Sequence, residues 1–221
     1  LGDSLTAGYG LALAKAFPAR LEAALRRRSF ACTVLDAGVS GDTSAGGAAR
    51  VAWVSADRPT HLLVELRGND ALRALPPEQL QTKLERIALA ARQAGVFVMI
   101  AGMLAPLNLG PDYGAEFAAA YQRVVDRYGL PFSPFFLDGL VNRPELLQRD
   151  GIHPNPAGVE VVVARILPSV EAGCDRPPLH RKVERRCDGV PLPAQRLAHK
   201  LLTILGISSR ERSCGITSPR A

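Results

Sequence analysis

Ser4 stands in the segment LGDSLTAGYG, ringed by Gly2, Gly8 and Gly10. Glycines so placed permit a tight turn and a close approach of backbone. A serine hydroxyl displayed there is a weak nucleophile until a base lies beside it. A candidate base and its orienting acid occur together in RDGIHPNPAG, where Asp150 and His153 are three residues apart, just before an apolar helical run. An imidazole with a carboxylate on its far nitrogen can take the serine proton and later return it to a leaving group, Asp150 fixing the tautomer. Two further segments, GVSGDTS and RGNDALR, supply Gly41 and Asn69. A backbone N–H and a side-chain amide are neutral donors suited to an oxyanion that develops during acyl transfer. Taken singly, each segment has a plainer reading. Gly-Asp-Ser is a helix N-cap pattern, and the other three read as turns, with His153 exposed. His61 is a rival histidine, but it opens an apolar strand, and His180 and His199 lie in a compositionally different tail.

These residues need a scaffold that gathers them at one edge. Thr33 to Val39, His61 to Leu66 and Val96 to Met103 are strand-length runs rich in Val, Leu and Ile. Phe17 to Arg28, Pro77 to Ala94, Tyr113 to Tyr128 and Pro156 to Val170 repeat apolar residues at helical spacing. The alternation predicts an α/β domain, a parallel sheet with helices on both faces and right-handed crossovers. Ligands of such sheets bind beyond the carboxyl ends of the strands. Gly41 and Asn69 follow the first two of these runs, and Ser4 stands where an earlier strand should end. On that pattern the N-terminus reads as truncated within its first strand. No internal repeat is evident.

With 221 residues the chain fits one domain able to bury its own core. No apolar run approaches the roughly 18 residues of a transmembrane segment. The net charge of +6 invites a nucleic-acid reading until it is located. Residues 1–173 hold 17 basic and 17 acidic residues, whereas 174–221 hold 10 and 4. A nucleic-acid-binding domain would carry its positive patch on the folded body, and this body has no excess to offer. Cys32 is alone in the body, and Cys174, Cys187 and Cys214 lie in the tail, so no paired framework staples the core. The expected division is a catalytic domain over 1–173 and a basic, Pro- and Arg-containing extension over 174–221, with a single helical stretch from Ala194 to Leu205.

In this order, Ser4 in GDSLTAGYG, Gly41 in VSGDTS, Asn69 in GND, and Asp150 with His153 in DGIHPN resemble the SGNH/GDSL hydrolase superfamily. LVELRGND and AGMLAPLNLGPDYGAEF are most similar to its bacterial arylesterase and thioesterase/lysophospholipase branch. The resemblance covers about residues 1–171. It implies a flavodoxin-like α/β/α sandwich and hydrolysis of short- to medium-chain esters or thioesters, without a cofactor or metal, in a periplasmic or secreted setting. It implies a Ser4, His153 and Asp150 triad, an oxyanion hole from Ser4, Gly41 and Asn69, and an acyl-binding loop holding Leu104, Pro106, Leu107, Asn108 and Leu109. Arg67 and Ala71 stand where that branch usually has glycine, which bears on substrate preference. Competing readings are a catalytically inactive binding protein on the same fold, a nucleotide-binding module and a metal hydrolase. The nucleotide reading lacks a phosphate-loop spacing, and the metal reading lacks clustered ligands in a body with two histidines far apart.

Overall fold

The computed structural model describes residues 1–66 and 68–176. Arg67 lies outside the described residues, as do the Ala194 to Leu205 stretch, Cys187, Cys214, and with them almost all of the basic extension.

Among the described residues, three short strands form a parallel sheet in the order β1 (His61–Glu65), β2 (Phe97–Ala101), β3 (Phe132–Ser133). His61 pairs with Phe97 and Glu65 with Ala101, and Ile100 pairs with Phe132. The sequences HLLVE and FVMIA are largely buried, as parallel strands covered on both faces must be. The sheet extends past β1 through the first two residues. The Leu1 nitrogen donates to the Leu63 carbonyl and the Leu1 carbonyl accepts from Glu65 N–H, both at 2.9 Å. Gly2 bridges Glu65 on one side and Gly38 on the other, both in parallel sense. The anticipated strand over Thr33 to Val39 is absent; only Gly38 pairs. Among the described residues Gly2 is its one bridge partner, Val34 N–H goes to the Glu22 side chain instead, and Asp36, Ala37 and Gly38 are poor strand formers, so no ladder of strand length develops.

Helices α1 (Ser4–Ala7), α2 (Phe17–Arg27), α3 (Ser44–Ala56), α4 (Gly68–Leu72), α5 (Pro77–Gln93), α6 (Pro111–Tyr128) and α7 (Pro156–Cys174) complete the order. One layer is α2 against α7, and the other is α5 between α3 and α6, so the architecture is the expected three-layer α/β/α sandwich. In α5, Leu80, Leu84, Ile87, Ala88 and Ala91 are buried, a stripe at three- and four-residue spacing facing the core. Pro77 at its first position suits a helix start, where no backbone donor is needed. Gly129, at φ +60°, ends α6 in the left-handed conformation. Helix α7 runs to Cys174, four residues beyond the expected Val170, and Gly173 is buried against Met99. No helix among the described residues is long and apolar enough to cross a membrane.

Candidate active site

The turn carrying Ser4 is built on close contact. A β-carbon on Gly2 would lie 1.9 Å from Thr6 Oγ1 and 2.6 Å from the Glu65 carbonyl oxygen, so only glycine fits between β1 and α1. Asp3, almost fully buried, caps α1 by accepting from Leu5 N–H at 3.0 Å. Gly8 closes the helix at φ +69°. Ser4 is therefore the first helical residue, directly beyond the sheet edge. Its N–H has no partner within the helix, because the first-turn donors of any helix lack one. Beneath the turn, Thr6 Oγ1 donates to Glu65 Oε2 at 2.7 Å. Burial, and then the Asp3 charge, push the Glu65 carboxyl up to about 8.

The second loop is closed at its base by a bridge between Leu147 and Pro154 and by the Asn155 N–H donating to the Leu146 carbonyl. Asn155 also caps α7, its side-chain oxygen accepting from Ala157 and Gly158 N–H at 3.0 Å. Its amide donates to the Glu145 and Leu147 carbonyls. Within this loop Asp150 Oδ1 accepts from Ile152 and His153 N–H, at 2.9 and 3.0 Å, and Oδ2 meets His153 Nδ1 at 2.7 Å. The two backbone donors, and then the imidazole, hold the Asp150 carboxyl down to about 2. It is ionised wherever the protein is folded under ordinary conditions. His153 Nε2 lies 2.8 Å from Ser4 Oγ, joining residues 149 apart in sequence. With Nδ1–H donated to Asp150, Nε2 is left as the acceptor of the serine proton, the arrangement general-base activation requires.

Gly41 and Asn69 come to the same edge. Asn69 Nδ2 donates to the Asp42 carbonyl at 2.9 Å and makes a long contact of 3.5 Å with Asp3 Oδ2. Gly41, exposed at φ +82°, offers its carbonyl to Arg73. The loop between them is pinned from two sides. Arg50 donates to Asp42 Oδ2, the Ala37 carbonyl and the Gly2 carbonyl at 2.7, 2.7 and 2.8 Å. Asp70, buried in α4, accepts from Ser44 N–H and Oγ. These bonds hold the segment after Gly41 and helix α4 in place; an oxyanion site would demand donors that need no reorganisation when charge appears. Ala71 is buried next to Asp70.

The expected acyl loop is the least engaged part. Leu107–Leu109 form a single 3-10 turn held by internal bonds, Leu109 N–H to the Pro106 carbonyl and Gly110 N–H to the Leu107 carbonyl. Leu107 is 97% exposed and Leu104 54%, so these apolar side chains, with Pro106, Asn108 and Leu109 around them, are not folded into the core. No hydrogen bond links this loop to Ser4 or His153. Sequence reasoning passed over Arg50, Glu65, Tyr9 and Gln148. The Tyr9 ring lies 4.7 Å from the His153 ring, and Gln148 joins the Ser4 and His153 loops. Tyr9 and Glu65 lie inside motif segments but are not of a type that marks chemistry there, and each of the four has a partner at least 48 positions away in sequence.

The GDSL-like Lipase/Acylhydrolase family model matches residues 1–161. The chain is 36% identical over 172 residues to esterase TesA of Pseudomonas aeruginosa, covering 77% of this chain and 86% of that protein. It is 36% identical over 156 residues to thioesterase 1/protease 1/lysophospholipase L1 of Escherichia coli K12, covering 70% and 74%. The structure of the psychrotrophic esterase EstA from Pseudoalteromonas sp., inhibited by monoethylphosphonate, superposes with a TM-score of 0.75 at 26% identity, covering 80% of this chain and 97% of that one. These relatives are enzymes by name, which leaves the reading as an inactive binding protein without support. The chain belongs to the GDSL-like lipase/acylhydrolase family and is a carboxylic ester hydrolase.

Proposed function

We propose that the chain hydrolyses short- to medium-chain esters, aryl esters and thioesters among them, through an acyl-enzyme on Ser4. The observation that carries this reading is the continuous hydrogen-bonded line from Asp150 Oδ2 through His153 to Ser4 Oγ, at 2.7 and 2.8 Å. Ser4 Oγ attacks the substrate carbonyl carbon while His153 Nε2 takes its proton. The carbonyl oxygen becomes an oxyanion facing Ser4 N–H, Gly41 N–H and the Asn69 amide. Collapse expels the alcohol or thiol, protonated by His153, and leaves Ser4 acylated. Water activated by the same imidazole then attacks, the acid departs and the serine proton returns. Asp150 stays ionised throughout, stabilising the imidazolium rather than accepting its proton.

The exposed Leu104 and Leu107 supply apolar surface for an acyl chain or aryl group, with Pro106, Asn108 and Leu109 shaping the turn. Family likeness favours a periplasmic or secreted setting, which cell fractionation tests. The mechanism is tested with p-nitrophenyl butyrate and a phosphonate such as the one that inhibits the EstA relative. Ser4→Ala should lose about three or more decades of turnover and take up no phosphonate, while keeping its thermal midpoint. Retained turnover, or labelling elsewhere with Ser4 unmodified, refutes the assignment.

A further inference from the structure

Ser4 opens α1 while His153 lies in a separate loop far along the chain, and one hydrogen bond between the reacting atoms is a poor way to hold the two segments in register. The structure contains a second connection. Gln148 is the first residue inside the loop closed by Leu147 and Pro154. Its Nε2 donates to the Tyr9 carbonyl at 2.7 Å, in the loop after Ser4, and to the Pro154 carbonyl at 3.0 Å, next to His153. Its backbone N–H donates to the His153 carbonyl at 2.8 Å, and its carbonyl accepts from Gly151 N–H at 3.0 Å. A single amide thus spends both hydrogens on two loops whose contact residues are 139 apart in sequence. Gly10 leaves room for it, since a β-carbon there would lie 2.3 Å from Gln148 Oε1. The Tyr9 ring rests against the imidazole from the same segment.

We infer that Gln148 is a positioning residue, bridging the Ser4 loop and the His153 loop so that nucleophile and base are in register before substrate arrives. This rests on the assignment of Ser4 and His153 as nucleophile and base. The physical ground is that misplacing reacting groups by about 1 Å costs about a hundredfold in rate, whatever the cause of the displacement. The bridge bonds to backbone groups of Tyr9, Pro154, His153 and Gly151 and to neither Ser4 Oγ nor the imidazole. Its loss should therefore appear in turnover rather than in substrate binding.

The test compares the full chain with Gln148→Met and Gln148→Glu, both close to glutamine in length and both without the amide donors. Gln148→Met should lower kcat about tenfold to a hundredfold, with KM within twofold and the thermal midpoint within a few degrees. Gln148→Glu should be at least as impaired, because its carboxylate faces two carbonyl oxygens. Phosphonate should still label Ser4 with full stoichiometry in both variants, more slowly by the factor lost in kcat. Wild-type kcat in either variant overturns the inference, as does a loss confined to KM or one matched by a collapse of the thermal midpoint. Ser4→Ala run alongside separates the two failures. Full turnover in Ser4→Ala sinks the nucleophile assignment and this inference with it, whereas normal Ser4 labelling with unimpaired Gln148 variants sinks this inference alone.

Discussion

Replacing Asn69 by alanine separates two contributions of one amide. At rest, one Nδ2 hydrogen is given to the Asp42 carbonyl at 2.9 Å, and the other has only the long contact with Asp3. The first is a structural bond between α4 and the Gly41 loop, worth about 1 kcal/mol net. Its loss should lower the thermal midpoint by roughly 2–4 °C in a chain of this size. On the proposed oxyanion role, the second hydrogen would leave its long contact with Asp3 to meet the oxyanion, and removing such a donor typically costs about 2.7–4 kcal/mol in the transition state, or about two to three decades in kcat. The two effects are thus very unequal. Steady-state kinetics on p-nitrophenyl butyrate with scanning calorimetry on the same preparation measures both. Asn69→Asp keeps the shape but aims a carboxylate at the oxyanion, and should be no better than Asn69→Ala. A change confined to KM, kcat within threefold of wild type, or an active Asn69→Asp would refute the reasoning.

The buried Glu65 carboxyl, pushed up to about 8 from an ordinary 4.5, favours folding most below about pH 4.5, and that contribution fades as pH rises toward 8. Glu65→Gln cannot ionise, so its thermal midpoint should gain on wild type by several degrees between pH 5 and pH 8; a pH-independent difference between the two would count against a protonated Glu65. Gly2→Ala drives a β-carbon against the Glu65 carbonyl, a backbone atom that cannot swing aside, and should cost about 1–3 kcal/mol of stability together with kcat; wild-type values for both would show that the turn can yield. Deleting residues 177–221 keeps every triad, cap and loop contact described above and should leave kcat on a soluble ester within about twofold; a tenfold loss would mean that the extension packs on the domain.

Much of this was legible because periodicity and chemistry are local signals. The α5 stripe and the apolar runs of β1 and β2 were readable from spacing, and α5 and α7 begin at Pro77 and Pro156, where the helical periodicity starts. Ser4, Asp150 and His153 were legible as residue types, and the structure brings them within hydrogen-bonding reach. Thr33 to Val39 misled because β-propensity measures fit to a half-buried pleat, and this segment bridges one residue, Gly2, among those described, while its Val34 N–H and Ala37 carbonyl bond to the side chains of Glu22 and Arg50. Glu65 was hidden inside an apolar run, its partner Thr6 lying 59 positions earlier. Gln148 gave no signal because its meaning resides in the carbonyls of Tyr9 and Pro154, and any residue has a carbonyl.

The contact between Ser4 and His153 closes a loop of 149 residues, and α2, near the beginning, packs on α7, at the end of the described chain. Closure over such a span is entropically expensive and ordinarily late in folding, after local helices and the β1–β2 pairing have formed. A nascent chain on the ribosome therefore has no assembled triad until Asp150 and His153 have emerged, the latter 149 residues after Ser4, and α7, whose docking on α2 draws the two ends together, follows them directly. Turnover then works as a reporter of completed folding. In a refolding experiment, recovery of esterase activity should trail recovery of helical circular dichroism, the lag measuring how long α7 takes to find α2.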